Sequence, residues 1–173
     1  MKNNAPKKVM LIGSPGSGKS TLARALRDIG GLPLYHLDMI WHRPDGSDIG
    51  REAFDRELSR LVSGERWIID GNYARTLEVR LAACDTVILL DIPVEECLKG
   101  AYARVGVKRE DMPWTESELD PEFAEFIKAF PQNTLPKIYA LLEQYPHKHT
   151  VILKSREEID RYLRECRAEG GIL

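Results

Sequence analysis

The stretch Leu11 to Thr21, LIGSPGSGKST, restricts the fold of this chain more than any other: an apolar run enters a loop with three glycines in six positions, then a lysine and two hydroxyls. Gly13, Gly16, Gly18, Lys19 and Ser20 have the spacing G-x-x-x-x-G-K-S, with Ser14, Pro15 and Ser17 between them. Glycine lets successive backbone N–H groups turn inward on one small concave site, and a helix beginning near Gly18 adds its positive end. Such a site attracts a chain of phosphate oxygens. Lys19 brings a mobile positive charge to the β and γ phosphates of a nucleoside triphosphate, and the Ser20 hydroxyl is a hard oxygen ligand suited to Mg²⁺. Thr21 follows as a structural member of the helix start. The context fits, because Val9 to Ile12 is a short apolar run and Thr21 to Ile29 reads as a helix.

Apolar runs and helical patterns alternate along the chain, which predicts an α/β fold: a parallel sheet with helices on both faces, in one domain over residues 1–173. Strands are expected at Val9–Ile12, Leu34–Leu37, Arg66–Ile69, Thr86–Leu90 and Thr150–Leu153. Helices are expected over about Lys19–Ile29, Arg51–Val62, Arg75–Ala82, Val94–Ala103 and Leu135–Gln144. Asp120-Pro121 reads as an N-cap followed by proline at the first helical position, opening a helix that Pro131 should end. Ser155 and Glu158 have capping-box spacing and start the last helix. Two segments lack periodicity, His42 to Gly50 and Gly106 to Leu119, and are the candidate mobile loops.

In a parallel sheet, ligands gather beyond the carboxyl ends of the strands. Asp38 follows the second strand, where it could orient or deprotonate an acceptor hydroxyl, or serve as a turn residue. Asp70 ends the third strand after three apolar residues and is the first candidate for Mg²⁺; Asp91, at the end of the fourth, is the second. Gly71 would keep the backbone close to a ligand, and Arg75 and Arg80 could hold an anionic acceptor. Arg104 and Arg109, with Lys108, open the weakly periodic segment and could close over the phosphates as a lid over about 104–120, or form a solvated face. The acceptor-side segment spans about 38–63. Trp41, Tyr73 and Trp114 offer aromatic faces to a planar acceptor, or belong to the core. Arg156 could stack on an adenine ring. His36 reads as a packed histidine.

The net charge of −2 gives no general reason to bind nucleic acid or an acidic membrane. Cys84, Cys97 and Cys166 are far apart and form no C-x-x-C, so neither a disulfide framework nor a cysteine zinc site is expected, and a reduced cytoplasm fits. The polar opening MKNNAPKK leaves no room for a signal-peptide core, and no apolar run reaches the length of a membrane span.

With these residues placed, the chain resembles the small P-loop kinases of the adenylate kinase-like group over nearly its whole length, and within that group the DNA topology modulation proteins. The resemblance rests on GSPGSGKST, LDMIWHRP, WIIDGNYART, DTVILLDIP, KREDMP and VILKSREEID, in that order. It implies the three-layer P-loop NTPase fold with a five-stranded parallel sheet, ATP with Mg²⁺ as cofactors, a lid carrying arginines, and an acceptor pocket on the second-strand side. Members that phosphorylate nucleoside monophosphates end the third strand D-G-F-P-R-T. Here DGNYART is one residue longer, so aligning Arg75 with their arginine requires an insertion. The expected activity is transfer of the γ-phosphoryl group of ATP to a small nucleotide, nucleoside or hydroxylated metabolite, by a monomer or homodimer. A nucleotide-dependent regulatory or DNA-associated ATPase without a small acceptor is the alternative.

Overall fold

The structure, a computed structural model, describes residues 5–173; the polar opening at residues 1–4 lies outside the described residues. The central sheet has five parallel strands in the order β2-β3-β1-β4-β5: β1 Lys8–Gly13, β2 Leu34–His36, β3 Trp67–Asp70, β4 Thr86–Leu90 and β5 His149–Leu153. The helices are α1 Lys19–Gly30, α2 Leu37–Trp41, α3 Arg51–Val62, α4 Leu77–Ala83, α5 Val94–Ala103, α6 Pro121–Asn133, α7 Leu135–Glu143 and α8 Arg156–Glu169. Alternate side chains of each strand point to opposite faces, so β1 divides its residues between two cores. Val9 and Leu11 pack with Leu22, Leu26, Ala101, Ile159 and Tyr162 of α1, α5 and α8. Met10 and Ile12 pack with Phe54, Leu58, Leu81 and Ile138 of α3, α4 and α7 on the other face. Covered on both sides, the central strands can be apolar throughout, which is why their sequences read as continuous runs.

The register brings the strand ends together. Leu11 pairs with Asp70 and Gly13 with Leu90, while His36 of β2 lies beside Asp70. The glycine-rich loop, Asp38 and Asp70 therefore share one edge of the sheet.

Several boundaries differ from expectation. The β2 strand stops at His36, and LDMIW coils into α2, which places Asp38 in a first helical turn. The helix expected from Arg75 begins as a 3₁₀ turn, Ala74–Thr76, before α4. Asp120 caps α6 as expected, accepting from the Glu122 N–H, but Pro131 does not end the helix, which runs on to Asn133. Proline so near the C-terminus removes only one late backbone bond, and α7 starts directly after Thr134. The 42–50 segment is not loose: the Arg43 N–H donates to the Ser47 carbonyl at 2.8 Å, and His42 bridges Asp48. The lid from Arg104 to Asp120 is irregular backbone between α5 and α6, with no helix of its own.

The loop after β1 is seated against α5 by two glycines. Gly16 has φ +78°, and a Cβ there would lie 1.9 Å from the Cys97 carbonyl; a Cβ on Gly100 would lie 2.2 Å from the Gly16 carbonyl. An Ala in place of a helix-interior glycine normally stabilises by up to about 1 kcal/mol. Here the sign reverses, because the added methyl meets backbone that cannot give way. Gly100→Ala is expected to cost about 1 to 3 kcal/mol, measured by urea unfolding, and equal or greater stability than wild type would contradict this packing.

Candidate active site

The glycine-rich loop turns tightly, with the Ser17 N–H donating to the Ser14 carbonyl at 3.1 Å. Lys19 lies inside this turn, and its ammonium donates to the same Ser14 carbonyl at 3.1 Å. Burial lowers the Lys19 pKa, opposed by the charges of Asp70 and Asp38. The loop is braced from outside: Arg156 at the start of α8 donates to the Ser17 carbonyl at 2.5 Å and the Gly16 carbonyl at 3.2 Å. Glu96 lies 3.9 Å from the same guanidinium. Arg156 thus spends donors on two carbonyls of the loop, and it also lines the outer cleft.

Asp70 is the hub of the site. Only 4% exposed, it has its Oδ2 2.8 Å from the Ser20 hydroxyl and 2.8 Å from His36 Nδ1. Burial alone would raise its pKa, but the His36 bond, the Lys19 charge and the Ser20 bond together hold it below the ordinary value. Asp91 is elsewhere, accepting from the Tyr139 hydroxyl at 2.7 Å. Of the two expected metal carboxylates, only Asp70 reaches Ser20. Two partners escaped the sequence reading. His36 is set aside there as core, yet it binds the hub. Asp111 on the lid lies 2.9 Å from the Ser20 hydroxyl, and no periodicity or motif singled it out.

Asp38 faces the same cleft. The Tyr73 hydroxyl donates to its Oδ1 at 2.7 Å, and His42 Nε2 is 4.0 Å from that same oxygen, so Oδ2 remains open. Burial and the Asp38 charge push the Tyr73 hydroxyl pKa up, keeping it a neutral donor. Tyr73 itself sits at φ +35°, a conformation unfavourable for an aromatic residue. The turn is held in that shape by Arg80, which is wholly buried and donates to the carbonyls of Gly71 at 2.7 Å, of Asn72, and of Tyr73 at 3.3 Å. The Asn72 side-chain oxygen accepts from the Gly13 N–H at 3.1 Å and ties the turn to the glycine-rich loop.

Three residues expected at the acceptor have partners within the protein. Arg80 is consumed by backbone carbonyls, its pKa lowered to about 10 by burial. Arg75 forms a two-pronged pair with Asp55 on the surface of α3, at 2.7 and 2.9 Å. Trp41 packs edge-on against Phe54, with ring centroids 5.5 Å apart, and backs Tyr73 without lining the cleft. Gly71, by contrast, does line it.

An inner cleft of about 200 Å³ is bounded by Lys19, Ser20, Asp38, Asp70, Arg104 and Arg109, with Phe123 and Phe126 on the far wall. It opens into an outer cleft of about 670 Å³ past Gly16, Gly18, Thr21, Lys108 and Arg156, which is roomy enough for a nucleotide. Both lid arginines expected at the site are there. Burial lowers the Arg104 pKa, reinforced by the charge of Arg109. The lid also touches the acceptor side, where Trp114 meets His42 with ring centroids 4.7 Å apart.

No protein-family model matches this chain, and no curated protein sequence does. Among solved structures, a gluconokinase from Sinorhizobium meliloti 1021 aligns with a TM-score of 0.54 at 16% identity, over 95% of this chain and 91% of its own. A shikimate kinase from Acinetobacter baumannii, in complex with shikimate, aligns with a TM-score of 0.45 at 20% identity, over 76% and 94%. The α/β fold with its five-stranded parallel sheet is shared with that gluconokinase. At these identities the likeness is one of fold. Among the described residues no helix is long and apolar enough to cross a membrane.

The depressed Asp70 pKa has a stability consequence. A carboxyl whose folded pKa lies below its unfolded one contributes stability that is present above the unfolded value and lost as pH falls through the folded one. In His36→Phe the burial effect on Asp70 loses its main opponent, so Asp70 should take up its proton at higher pH. Urea unfolding at a series of pH values through and below the ordinary carboxylate range should show a shallower acid loss in the variant. An unchanged slope would mean that His36 does not hold Asp70 ionised.

Proposed function

We propose that the protein is an ATP-dependent phosphotransferase acting on a small acceptor. The observation that carries this reading is the convergence, in one cleft, of the glycine-rich loop with Lys19, the Ser20–Asp70 pair, the open Oδ2 of Asp38 and two half-buried arginines, Arg104 and Arg109. ATP would lie with its phosphates on the loop and its adenosine in the outer cleft. Mg²⁺ fits the donors present: Ser20 and Asp70 are hard oxygens, and Asp70 Oδ1 is a buried acceptor without a partner. Among the described residues no three or more His, Cys, Asp or Glu form a cage of their own, which suits an ion that takes its remaining ligands from phosphates and water. When bound, the metal supplies positive charge to the phosphate oxygens.

The chain's own residues then divide the work. Asp38 Oδ2 accepts the proton of the acceptor hydroxyl, while Tyr73 and His42 keep Oδ1 occupied and the carboxylate oriented. Lys19, Arg104 and Arg109 meet the negative charge that spreads over the transferred group. The lid excludes water that would otherwise compete with the acceptor.

The two arginines best placed in sequence to clamp an acceptor phosphate are committed elsewhere, and the acceptor end of the cleft is lined by Asp38, Glu116, Glu118 and Asp120 with His42 and Trp114. These contacts support a hydroxylated acceptor without a phosphate of its own, over a nucleoside monophosphate. The resemblance of the sequence motifs to DNA topology modulation proteins names an effect and no acceptor.

A panel of sugars, polyols, nucleosides and nucleotides with Mg-ATP tests the reading: ATP consumption that rises with a phosphate-free hydroxylated member supports it. Turnover that ignores every acceptor but responds to DNA would favour the regulatory ATPase. Lys19→Ala is expected to abolish ATP use. Asp38→Asn is expected to retain ATP affinity by calorimetry while losing about 10²- to 10⁴-fold in transfer, and equal loss of ATP affinity in both variants would contradict the role of Asp38.

A further inference from the structure

Resting on that phosphotransferase reading, we infer that Asp111 is a metal ligand carried by the lid, so that binding of the divalent cation and closure of the lid are one event. The first support is a proton count. The Ser20 hydroxyl has Asp70 Oδ2 at 2.8 Å and Asp111 Oδ2 at 2.9 Å, yet a hydroxyl has a single proton to donate. One of these contacts therefore sets oxygen against oxygen with nothing between to attract them. A cation among the three oxygens turns both contacts into shared ligation, since a serine oxygen and two carboxylates are the hard donors that Mg²⁺ selects.

The second support is burial. Asp70 is 4% exposed and its Oδ1 has no partner, and Asp111 is also 4% exposed, which is costly for carboxylates with incomplete partners. Arg109 offsets part of this, with its Nε 3.5 Å from Asp111 Oδ1, but its own terminal NH1 nitrogen is buried without a partner as well.

The third support is topology. Ser20 and Asp70 are fixed by α1 and β3, whereas Asp111 belongs to irregular backbone between α5 and α6 and can reach Ser20 only with the lid folded down. In that position the same loop delivers Arg104 and Arg109 to the inner cleft and Trp114 to His42. A cation held partly by Asp111 would draw in the arginines with it. ATP without metal would not.

The experiment compares ADP affinity by calorimetry with Mg²⁺ and with EDTA, and follows lid closure by the rate of tryptic cleavage after the exposed Lys108. In wild type, Mg²⁺ is expected to tighten ADP binding and slow that cleavage. In Asp111→Asn the metal-free ADP affinity should be kept, the Mg²⁺ enhancement should fall by roughly tenfold or more, and Mg-ADP should no longer protect Lys108. An undiminished enhancement in Asp111→Asn overturns the inference while leaving the phosphotransferase reading intact. Failure of wild type to bind ADP under either condition overturns both. Asp111→Glu keeps a carboxylate on the lid and is expected to retain more of the Mg²⁺ enhancement than Asp111→Ala, even if Asp111→Asn does not fold. Equal enhancement in Asp111→Glu and Asp111→Ala would show that the carboxylate at this position does not hold the metal.

Discussion

The buried carboxylate of Asp70 at the end of β3 is the constraint around which this site is organised. An ionised group in such a place is tolerated only where donors and opposite charge surround it. His36 from β2, Ser20 from α1 and the Lys19 ammonium together meet that demand. They come from β2 and from the start of α1, so satisfying one charge on β3 fixes the relative position of two strands and a helix. The sheet order makes this possible, because β3 lies between β1 and β2 and presents Asp70 to both neighbours.

A second layer holds the backbone in shapes it would not otherwise keep. Arg80 gathers three consecutive carbonyls, forcing the turn after β3 to aim Tyr73 at Asp38 despite its unfavourable φ. Arg156 does the corresponding work on the glycine-rich loop, holding the carbonyls of Gly16 and Ser17. Gly16 and Gly100 let that loop lie directly on α5. Backbone polar groups near a binding site are costly when unpaired, and guanidinium groups with several donors in a fixed fork are well suited to satisfying carbonyls in clusters. Strain in these turns is thereby supported by arginines bonded to backbone carbonyls.

The same principle redistributes charge across the cleft. Lys19, Arg104 and Arg109 line the inner cleft with Asp38 and Glu116, and Glu118 and Asp120 continue the acidic lining beyond Asp38. For the phosphoryl transfer proposed above, a cleft polarised in this way would bind the polyanion at one end and withdraw a proton at the other.

The order of strands and helices, the glycine-rich loop and the placement of Asp38 and Asp70 at strand ends were legible from the sequence, because they depend on local periodicity and on spacing within one turn. The arginines were not. Arg75, Arg80, Arg104, Arg109 and Arg156 look alike along the chain, and only the fold decides which meet carbonyls, which meet Asp55 and which face the cleft. Asp111 and His36 were equally hidden, since their meaning lies in contacts with residues 91 and 34 positions away. Sequence determined where backbone could bend around phosphate; tertiary structure decided which charges would be spent holding that bend and which would be left to do chemistry. Long side chains act across elements, and their partners are set by packing that no local pattern records.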